Sequence, residues 1–109
     1  MNANFTYLES PEQFESLIER SYASPVVVFK HSNSCGTSFD VLEQIEEIDE
    51  NIYILIVQTH RDLSNRIAEF TGHRHHSPQA FVFRDGKVVY HATHYGINPS
   101  SIKQTLNEQ

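Results

Sequence analysis

Residues 26–38 read VVVFKHSNSCGTS, and this stretch decides the fold. Its first four residues are apolar and mostly β-branched, without polar alternation, which is typical of a strand buried on both faces. Small and polar residues then surround Cys35, and a helical pattern begins just after them. The only cysteine of the chain is therefore predicted to lie between a central strand and a helix.

The segments on either side alternate between helical and strand patterns. Ser10, Pro11 and Gln13 have the arrangement of a capping box, which predicts a helix from Pro11 to about Tyr22. The remaining elements predicted from periodicity and punctuation are a short strand within 5–9, a helix over 35–50, a strand over 52–57, a helix capped by Asp62 and ended by Gly72, strands over 80–83 and 88–90 joined by Asp85-Gly86, and a helix from Asn98-Pro99.

This order predicts one α/β domain over residues 1–109, with helices on both faces of a mixed sheet of four or five strands. Two buried strands joined by a helix should be parallel, because such a crossover needs roughly a dozen residues or more. The last two strands should form an antiparallel hairpin at one edge. The three-layer arrangement resembles the thioredoxin-like fold, in which the active site lies at the junction that Cys35 occupies.

Composition narrows the class of protein. Hydrophobic residues make up 39% and charged residues 20% of the 109 residues, as in ordinary globular proteins. The net charge of −6 argues against a nucleic-acid or anionic-membrane surface, since both need a basic patch. Residues 1–4 lack a basic, apolar leader pattern, and the apolar runs are only strand-length. With a single cysteine and no internal disulfide, we expect a reducing, cytoplasmic setting.

The position of Cys35 favours a reactive thiol. A helix N-terminus presents free N–H groups and the positive end of the helix dipole, and both favour the thiolate. A lone cysteine is more often a small buried apolar residue, but the small or polar residues Ser34, Gly36 and Thr37 favour an accessible sulfur.

Ser38 completes a Cys-x-x-Ser motif. It is expected to lie over the same turn as Cys35 and to donate a hydrogen bond to the sulfur. A second cysteine at this position would resolve a mixed disulfide, whereas serine cannot attack one, so an external thiol is needed to regenerate Cys35. Lys30 or His31 could add positive charge, although strand alternation lets at most one of them face the site.

The loop before Pro78 is the expected partner of Cys35. In thioredoxin-like folds this loop carries a cis proline beside the cysteine, so we predict a cis Ser77–Pro78 bond. The backbone of Ser77 would then pair with an extended peptide or a peptide-like thiol. The alternative is an ordinary turn proline at the start of a strand.

Five histidines follow residue 72. A metal site needs three or four ligands in fixed geometry, and His75 and His76 point different ways if extended, so no metal is expected. We interpret His73, His75 and His76 as a solvent-facing loop that can pair with an anionic ligand. We interpret His91 and His94 as structural hydrogen-bonding residues.

Nearly the whole chain, from about Leu8 to Leu106, resembles the monothiol bacilliredoxins. The segments that carry the resemblance, in order, are Phe29-Lys30-His31-Ser32, Cys35-x-x-Ser38, Asn65-Arg66-Ile67-Ala68, His75-His76-Ser77-Pro78-Gln79, Asp85-Gly86-Lys87-Val88-Val89 and His91-Ala92-x-His94-Tyr95-Gly96-Ile97. Three positions depart from the family pattern. Cys-Gly-Thr-Ser stands where Cys-Pro-Ile-Ser is usual, and Tyr95 stands where tryptophan is common.

The resemblance implies a cytoplasmic thiol-disulfide oxidoreductase with a thioredoxin fold. Cys35 would take bacillithiol, or a similar low-molecular-weight thiol, from S-thiolated client proteins, and a second thiol would regenerate it. Ser38 would support the thiolate, Ser77-Pro78 would frame the groove, and Ser34, Gly36 and Thr37 would contact the thiol. No bound cofactor is implied, and we expect a monomer or a weak dimer.

The Gly36 departure leaves a second function open. Cys-Gly-x-Ser also resembles the motif of monothiol glutaredoxins, which hold an iron–sulfur cluster between two subunits together with a small thiol. The alternative hypothesis is therefore an iron–sulfur binding or carrier protein.

Overall fold

A computed structural model describes residues 2–108, and the predicted domain of residues 1–109 extends one residue beyond each end of that range. Within it, five strands form one mixed sheet in the order β1-β3-β2-β4-β5, and four α-helices cover the sheet. The elements are β1 (Asn4–Tyr7), α1 (Pro11–Arg20), β2 (Val26–His31), α2 (Gly36–Ile45), β3 (Asn51–Ile56), α3 (Arg61–Thr71), β4 (Gln79–Arg84), β5 (Lys87–Thr93), a 3₁₀ helix (His94–Gly96) and α4 (Pro99–Asn107). None of the helices in the described range is both long and apolar enough to cross a membrane.

Strand β2 is the centre of the sheet and is buried at every position. It pairs parallel with β3 and antiparallel with β4, and β5 forms the antiparallel hairpin at the edge, as predicted. The weak strand predicted near the N-terminus is β1, which pairs parallel with β3. This topology brings the C-terminal ends of β2 and β3 and the start of β4 together at the same end of the sheet.

The two faces of the sheet carry separate apolar clusters. One cluster packs α1 and α3 against the sheet through Phe14, Leu17, Leu63, Ile67, Phe81 and Phe83. The other packs α2 and α4 through Phe29, Val41, Ile45, Val82 and Ile102. The strand residues alternate between the clusters, so a polar residue in β2 is directed under one helix pair or the other.

Several predicted boundaries were wrong by a few residues. Helix α1 ends at Arg20 rather than Tyr22, and α2 spans Gly36–Ile45 rather than 35–50. The carboxylates of residues 46–50 explain the early end of α2, because negative charge at a helix C-terminus is unfavourable. Helix α3 is preceded by His60 at its N-cap, and Asp62 lies within its first turn.

Strand β2 also continues beyond the predicted 26–29 to include Lys30 and His31, both of them buried. The prediction ended the strand before these residues because they are polar. Their burial depends on hydrogen-bond partners from distant parts of the chain.

The predicted turn chemistry is confirmed. Asp85 and Gly86 have φ of 53° and 74°, which is the left-handed pair that a two-residue hairpin of this type requires. Gly72 ends α3 at φ 74°, and the Asn98 side chain caps α4 by accepting from the N–H groups of Ser100 and Ser101.

Substituting Gly86→Ala should lower the free energy of unfolding by about 1 to 2 kcal/mol, because an L side chain is strained at this φ. Its Cβ would also lie 2.5 Å from the Tyr22 hydroxyl. Gly96→Ala is the matched control, since no atom beyond the adjacent residues lies within 4 Å of its Cβ position and Gly96 has no positive φ. Urea unfolding measures both variants, and equal losses in the two would contradict this account of the turn.

Candidate active site

Cys35 is the N-cap residue of α2, with its backbone extended at φ −120° and ψ 118°. Its side chain is half-buried and is not used to cap the helix. The thiol therefore lies at the positive end of the helix, partly open to solvent, where an anionic sulfur is stabilised. This is the position that the sequence predicted.

Ser77 and Pro78 lie directly beside the cysteine. The Ser77–Pro78 peptide bond is cis, as predicted. The Cys35 Sγ lies 3.9 Å from the Ser77 carbonyl oxygen, at the outer limit for a thiol hydrogen bond. The pairing of Lys30 with Gln79 in the β2–β4 ladder fixes this approach, since Ser77 and Pro78 immediately precede Gln79.

Ser38 is fully buried and does not make the predicted hydrogen bond to the sulfur. Its Oγ accepts from the Ser32 backbone N–H at 3.0 Å and lies 2.7 Å from His31 Nδ1. Because that oxygen already accepts from Ser32, donation of its single proton to an unprotonated Nδ1 satisfies all three groups. The serine thus connects α2 to the end of β2 beneath the cysteine turn.

His31 is the partner of Ser38 and is itself only 2% exposed. Burial lowers the pKa of His31, and a hydrogen bond with Asn33 partly opposes that effect. The imidazole ring also packs edge-to-face on Phe39, with the ring centroids 4.8 Å apart. His31 is therefore a neutral acceptor inside the fold, and the sequence-based idea that it supplies positive charge to the thiol is wrong.

Gln58 holds the turn that precedes Cys35, and no sequence pattern singled it out. Its Nε2 donates to Ser32 Oγ at 2.7 Å and to Ser34 Oγ at 2.9 Å. Its Oε1 accepts from the Asn33 backbone N–H at 3.1 Å. Gln58 follows β3, so the parallel pairing of β2 and β3 was the signal that could have placed it beside this turn.

Of the other predicted contact residues, Gly36 is exposed and Thr37 half-buried in the first turn of α2. Apart from the adjacent residues and the backbone of α2, no atom lies within 4 Å of the position that a Cβ on Gly36 would occupy. The surface next to the thiol is therefore open at this point.

Lys30 is fully buried on the opposite face of β2 from His31. Its Nζ donates to the Ser64 carbonyl at 3.0 Å and lies 3.4 Å from His75 Nδ1. Ser64 Oγ is 3.1 Å from the same nitrogen. Burial lowers the pKa of Lys30 to about 8, so this side chain titrates close to physiological pH.

Gln79 is the second fully buried polar residue under the histidine loop, which we define as residues 73–78. Its Nε2 donates to the Arg74 carbonyl at 3.0 Å and contacts His91 Nε2 at 2.9 Å. Its Oε1 accepts from the His76 backbone N–H at 3.4 Å. The loop that presents Ser77 is therefore held from beneath by Gln79 as well as by Lys30.

Of the three loop histidines predicted to face solvent, His75 and His76 are exposed and His73 is half-buried. His73 stacks on His91 with ring centroids 3.9 Å apart, and His75 is directed toward Lys30 and Ser64. Only His76 and His94 have the exposed, edge-to-face arrangement of a surface pair. The prediction that His91 is a structural hydrogen-bonding residue is confirmed by its contact with Gln79.

Metal ligands are not assembled in the part of the chain that the structure describes. Across residues 2–108, no group of three or more histidine, cysteine, aspartate or glutamate side chains has an arrangement that could hold a metal ion.

Comparison with solved structures defines the class of protein. A candidate oxidoreductase with a thioredoxin fold is 41% identical, covers 92% of this chain with 91% of its own, and superposes with a TM-score of 0.84. Thioredoxin from Fasciola hepatica is 17% identical over 92% of this chain and 94% of its own, with a TM-score of 0.70. Spinach chloroplast thioredoxin f is 16% identical over 96% of this chain and 92% of its own, also with a TM-score of 0.70. These two distant matches show the fold alone.

The chain has the thioredoxin fold, with a single cysteine at the position where that fold does its chemistry. The family model described as monothiol bacilliredoxin BrxC matches residues 6–102. The chain belongs to the monothiol bacilliredoxin family. It is accordingly a thiol redox protein of the oxidoreductase class.

The burial of Lys30 predicts a distinctive pH dependence of stability. Its pKa is about 8 in the folded chain, against 10.5 for an unperturbed lysine, so the unfolded chain binds more protons between these values and stability rises with pH across them. Lys30→Met removes this dependence. The difference in unfolding free energy, variant minus wild type, should fall by about 2 kcal/mol between pH 7 and pH 9.5. A pH-independent difference in urea unfolding would contradict the burial of the Lys30 ammonium group.

Ser38→Ala should cost about 1 to 3 kcal/mol of unfolding free energy, because it leaves His31 Nδ1 and the Ser32 N–H buried without their partner. Ser16→Ala, at an exposed position of α1, is the matched control and should change stability by less than about 0.5 kcal/mol. Chemical denaturation followed by circular dichroism checks both. A neutral Ser38→Ala variant would mean that the contact with His31 contributes nothing.

Proposed function

We propose that this chain removes bacillithiol, or a similar low-molecular-weight thiol, from protein mixed disulfides by a monothiol mechanism. The observation that carries the proposal is the pairing of a half-exposed Cys35 at a helix N-terminus with a Ser38 that is fully engaged elsewhere. The chain contains no second cysteine that could resolve a disulfide internally. Membership of the monothiol bacilliredoxin family supports the same reaction.

The first step is attack by the Cys35 thiolate on the cap sulfur of a client-S–S-R disulfide. The client–cap bond breaks as the Cys35–cap bond forms, and the client sulfur leaves as a thiolate that takes a proton from solvent. The client is thereby reduced, and the cap becomes a mixed disulfide on Cys35. No net change in electrons occurs, because one disulfide replaces another.

The second step consumes a free small thiol. Its thiolate attacks the cap sulfur on Cys35, releases the Cys35 thiolate and forms the symmetrical small-molecule disulfide. The co-substrate is therefore also the reductant, and no bound cofactor takes part. A reducing cytoplasm that maintains such a thiol is the setting in which this cycle would run.

The surface around the sulfur supports the approach of both substrates. The Ser77 carbonyl, 3.9 Å from Sγ, would pair with the extended backbone of the client or with the peptide-like part of the thiol. The open space above Gly36 and the exposed Ser34 would receive the cap. Pro78 supports Ser77 from the buried side.

The direct test uses a client with one cysteine, capped with bacillithiol and mixed with the reduced chain. Intact-mass spectrometry should show loss of the cap from the client and gain of the same mass on Cys35 within minutes. Cys35→Ala should leave the cap in place. A client that loses its cap equally fast with wild type and Cys35→Ala would refute the mechanism.

Two further measurements complete the test. Added bacillithiol should release the cap from Cys35 and leave the oxidised small molecule. The iron–sulfur alternative instead predicts a brown, dimeric protein after anaerobic reconstitution. A brown dimer without cap transfer would favour that alternative.

A further inference from the structure

The sequence distributes its charges very unevenly. The chain carries 14 acidic residues and a net charge of −6, yet between Phe70 and Asn107 the only carboxylate is Asp85. Asp85 lies in the hairpin turn at the far end of β4 from the histidine loop. The histidine loop, which faces Cys35, therefore combines histidine and arginine side chains without a carboxylate of its own.

Two of the histidines between Phe70 and Asn107 form an exposed pair next to the cysteine. The rings of His76 and His94 lie 5.5 Å apart in an edge-to-face arrangement, and both residues are exposed. His76 is bonded in sequence to Ser77, whose carbonyl lies 3.9 Å from Cys35 Sγ. His94 begins the 3₁₀ helix, which packs on α2 just beyond the cysteine.

The charged groups that act on the neighbouring histidines, His75 and His91, are cationic. The pKa of His75 is lowered by burial and then by Lys30, His76 and Arg61. The pKa of His91 is lowered by burial and then by His73, His76 and Lys30. Every charged neighbour that acts on these two histidines is thus positive.

Asp40 is the carboxylate nearest in sequence to Cys35, and it is hydrogen-bonded to the 3₁₀ helix. It lies on α2, and its Oδ2 accepts a hydrogen bond of 2.8 Å from the Tyr95 hydroxyl. Tyr95 follows His94, so this contact joins the 3₁₀ helix to α2 rather than pairing with a histidine. The hydrogen bond from Tyr95 leaves the charge on Asp40 in place but fixes that carboxylate against the 3₁₀ helix. The exposed ring N–H groups of His76 and His94 are left open to anions from solution.

We propose that His76 and His94 form a binding site for the carboxylate groups of the small thiol that caps Cys35. The inference rests on the proposed function and specifies the ligand class: a low-molecular-weight thiol that bears carboxylates within reach of its sulfur. Neutral and cationic thiols of the same size would be poorer caps. Exposed imidazoles a few ångströms apart can both donate N–H groups to one carboxylate.

The test compares three caps of similar size on one client. The caps are cysteamine, 2-mercaptoethanol and 3-mercaptopropionate, which are cationic, neutral and anionic. Transfer rates to Cys35 at pH 7 are divided by the rates with dithiothreitol, which corrects for the intrinsic reactivity of each disulfide. The anionic cap should be roughly threefold to tenfold faster than the neutral one and the cationic cap slowest. The preference should shrink at high salt.

Substitutions test whether His76 and His94 cause the preference for the anionic cap. His76→Gln with His94→Gln should bring the anionic-to-neutral ratio close to one. Lys87→Gln, a loss of charge on the exposed hairpin, is the matched control and should leave the ratio unchanged. Asp40→Asn keeps the acceptor for Tyr95, removes the negative charge and should raise the ratio.

The outcomes separate this inference from the proposed function. Equal corrected rates for the three caps would overturn the carboxylate site and leave cap transfer intact, whereas no transfer of any cap would overturn the proposed function. A preference that persists in the double variant would overturn the assignment to His76 and His94. A second client with basic flanks tests recognition of the client instead. A preference that changes with the client rather than the cap would also overturn the inference.

Discussion

The antiparallel pairing of β2 with β4 is the constraint on which the site depends. It sets Lys30 opposite Gln79, and the three residues before Gln79 then lie across from the turn that carries Cys35. A shift of β4 by one residue would turn the Gln79 side chain to the other face of the sheet and move Ser77 away from the sulfur. The buried valines and phenylalanines of the two strands oppose such a shift, because it would turn apolar side chains away from the cluster in which they pack.

Hydrogen bonds from buried polar side chains then hold in place the loops and the helix start that the strand pairing brings together. Lys30 and Gln79 hold the histidine loop on one face of the sheet, and the His31–Ser38 contact holds the start of α2 on the other. Gln58 fixes the turn between them. In the described residues, no buried side-chain nitrogen or oxygen lacks a hydrogen-bond partner, which is the condition for keeping such groups inside a small domain. The reactive sulfur is thus surrounded by a rigid frame, although its own contacts are few.

The local sequence predicted the elements that depend on short-range physics. The capping box at Ser10, the hairpin turn at Asp85-Gly86 and the position of Cys35 at a helix start all follow from neighbouring residues. The hydrogen-bond partners of the buried polar residues could not be predicted from neighbouring residues. Lys30 meets Ser64 and His75 from 34 and 45 residues away, and Gln58 reaches Ser32 across 26. Periodicity gives no information about such pairs, so Ser38 was assigned to the sulfur when its partner is His31.

The central claim is that Cys35 carries the cap between two separate encounters, first with the client and then with the free thiol. Steady-state kinetics with capped client and bacillithiol varied together test this most directly. The account predicts a ping-pong pattern, with parallel lines in double-reciprocal plots. Intersecting lines, which indicate that both substrates must be bound before any cap is released, would contradict it.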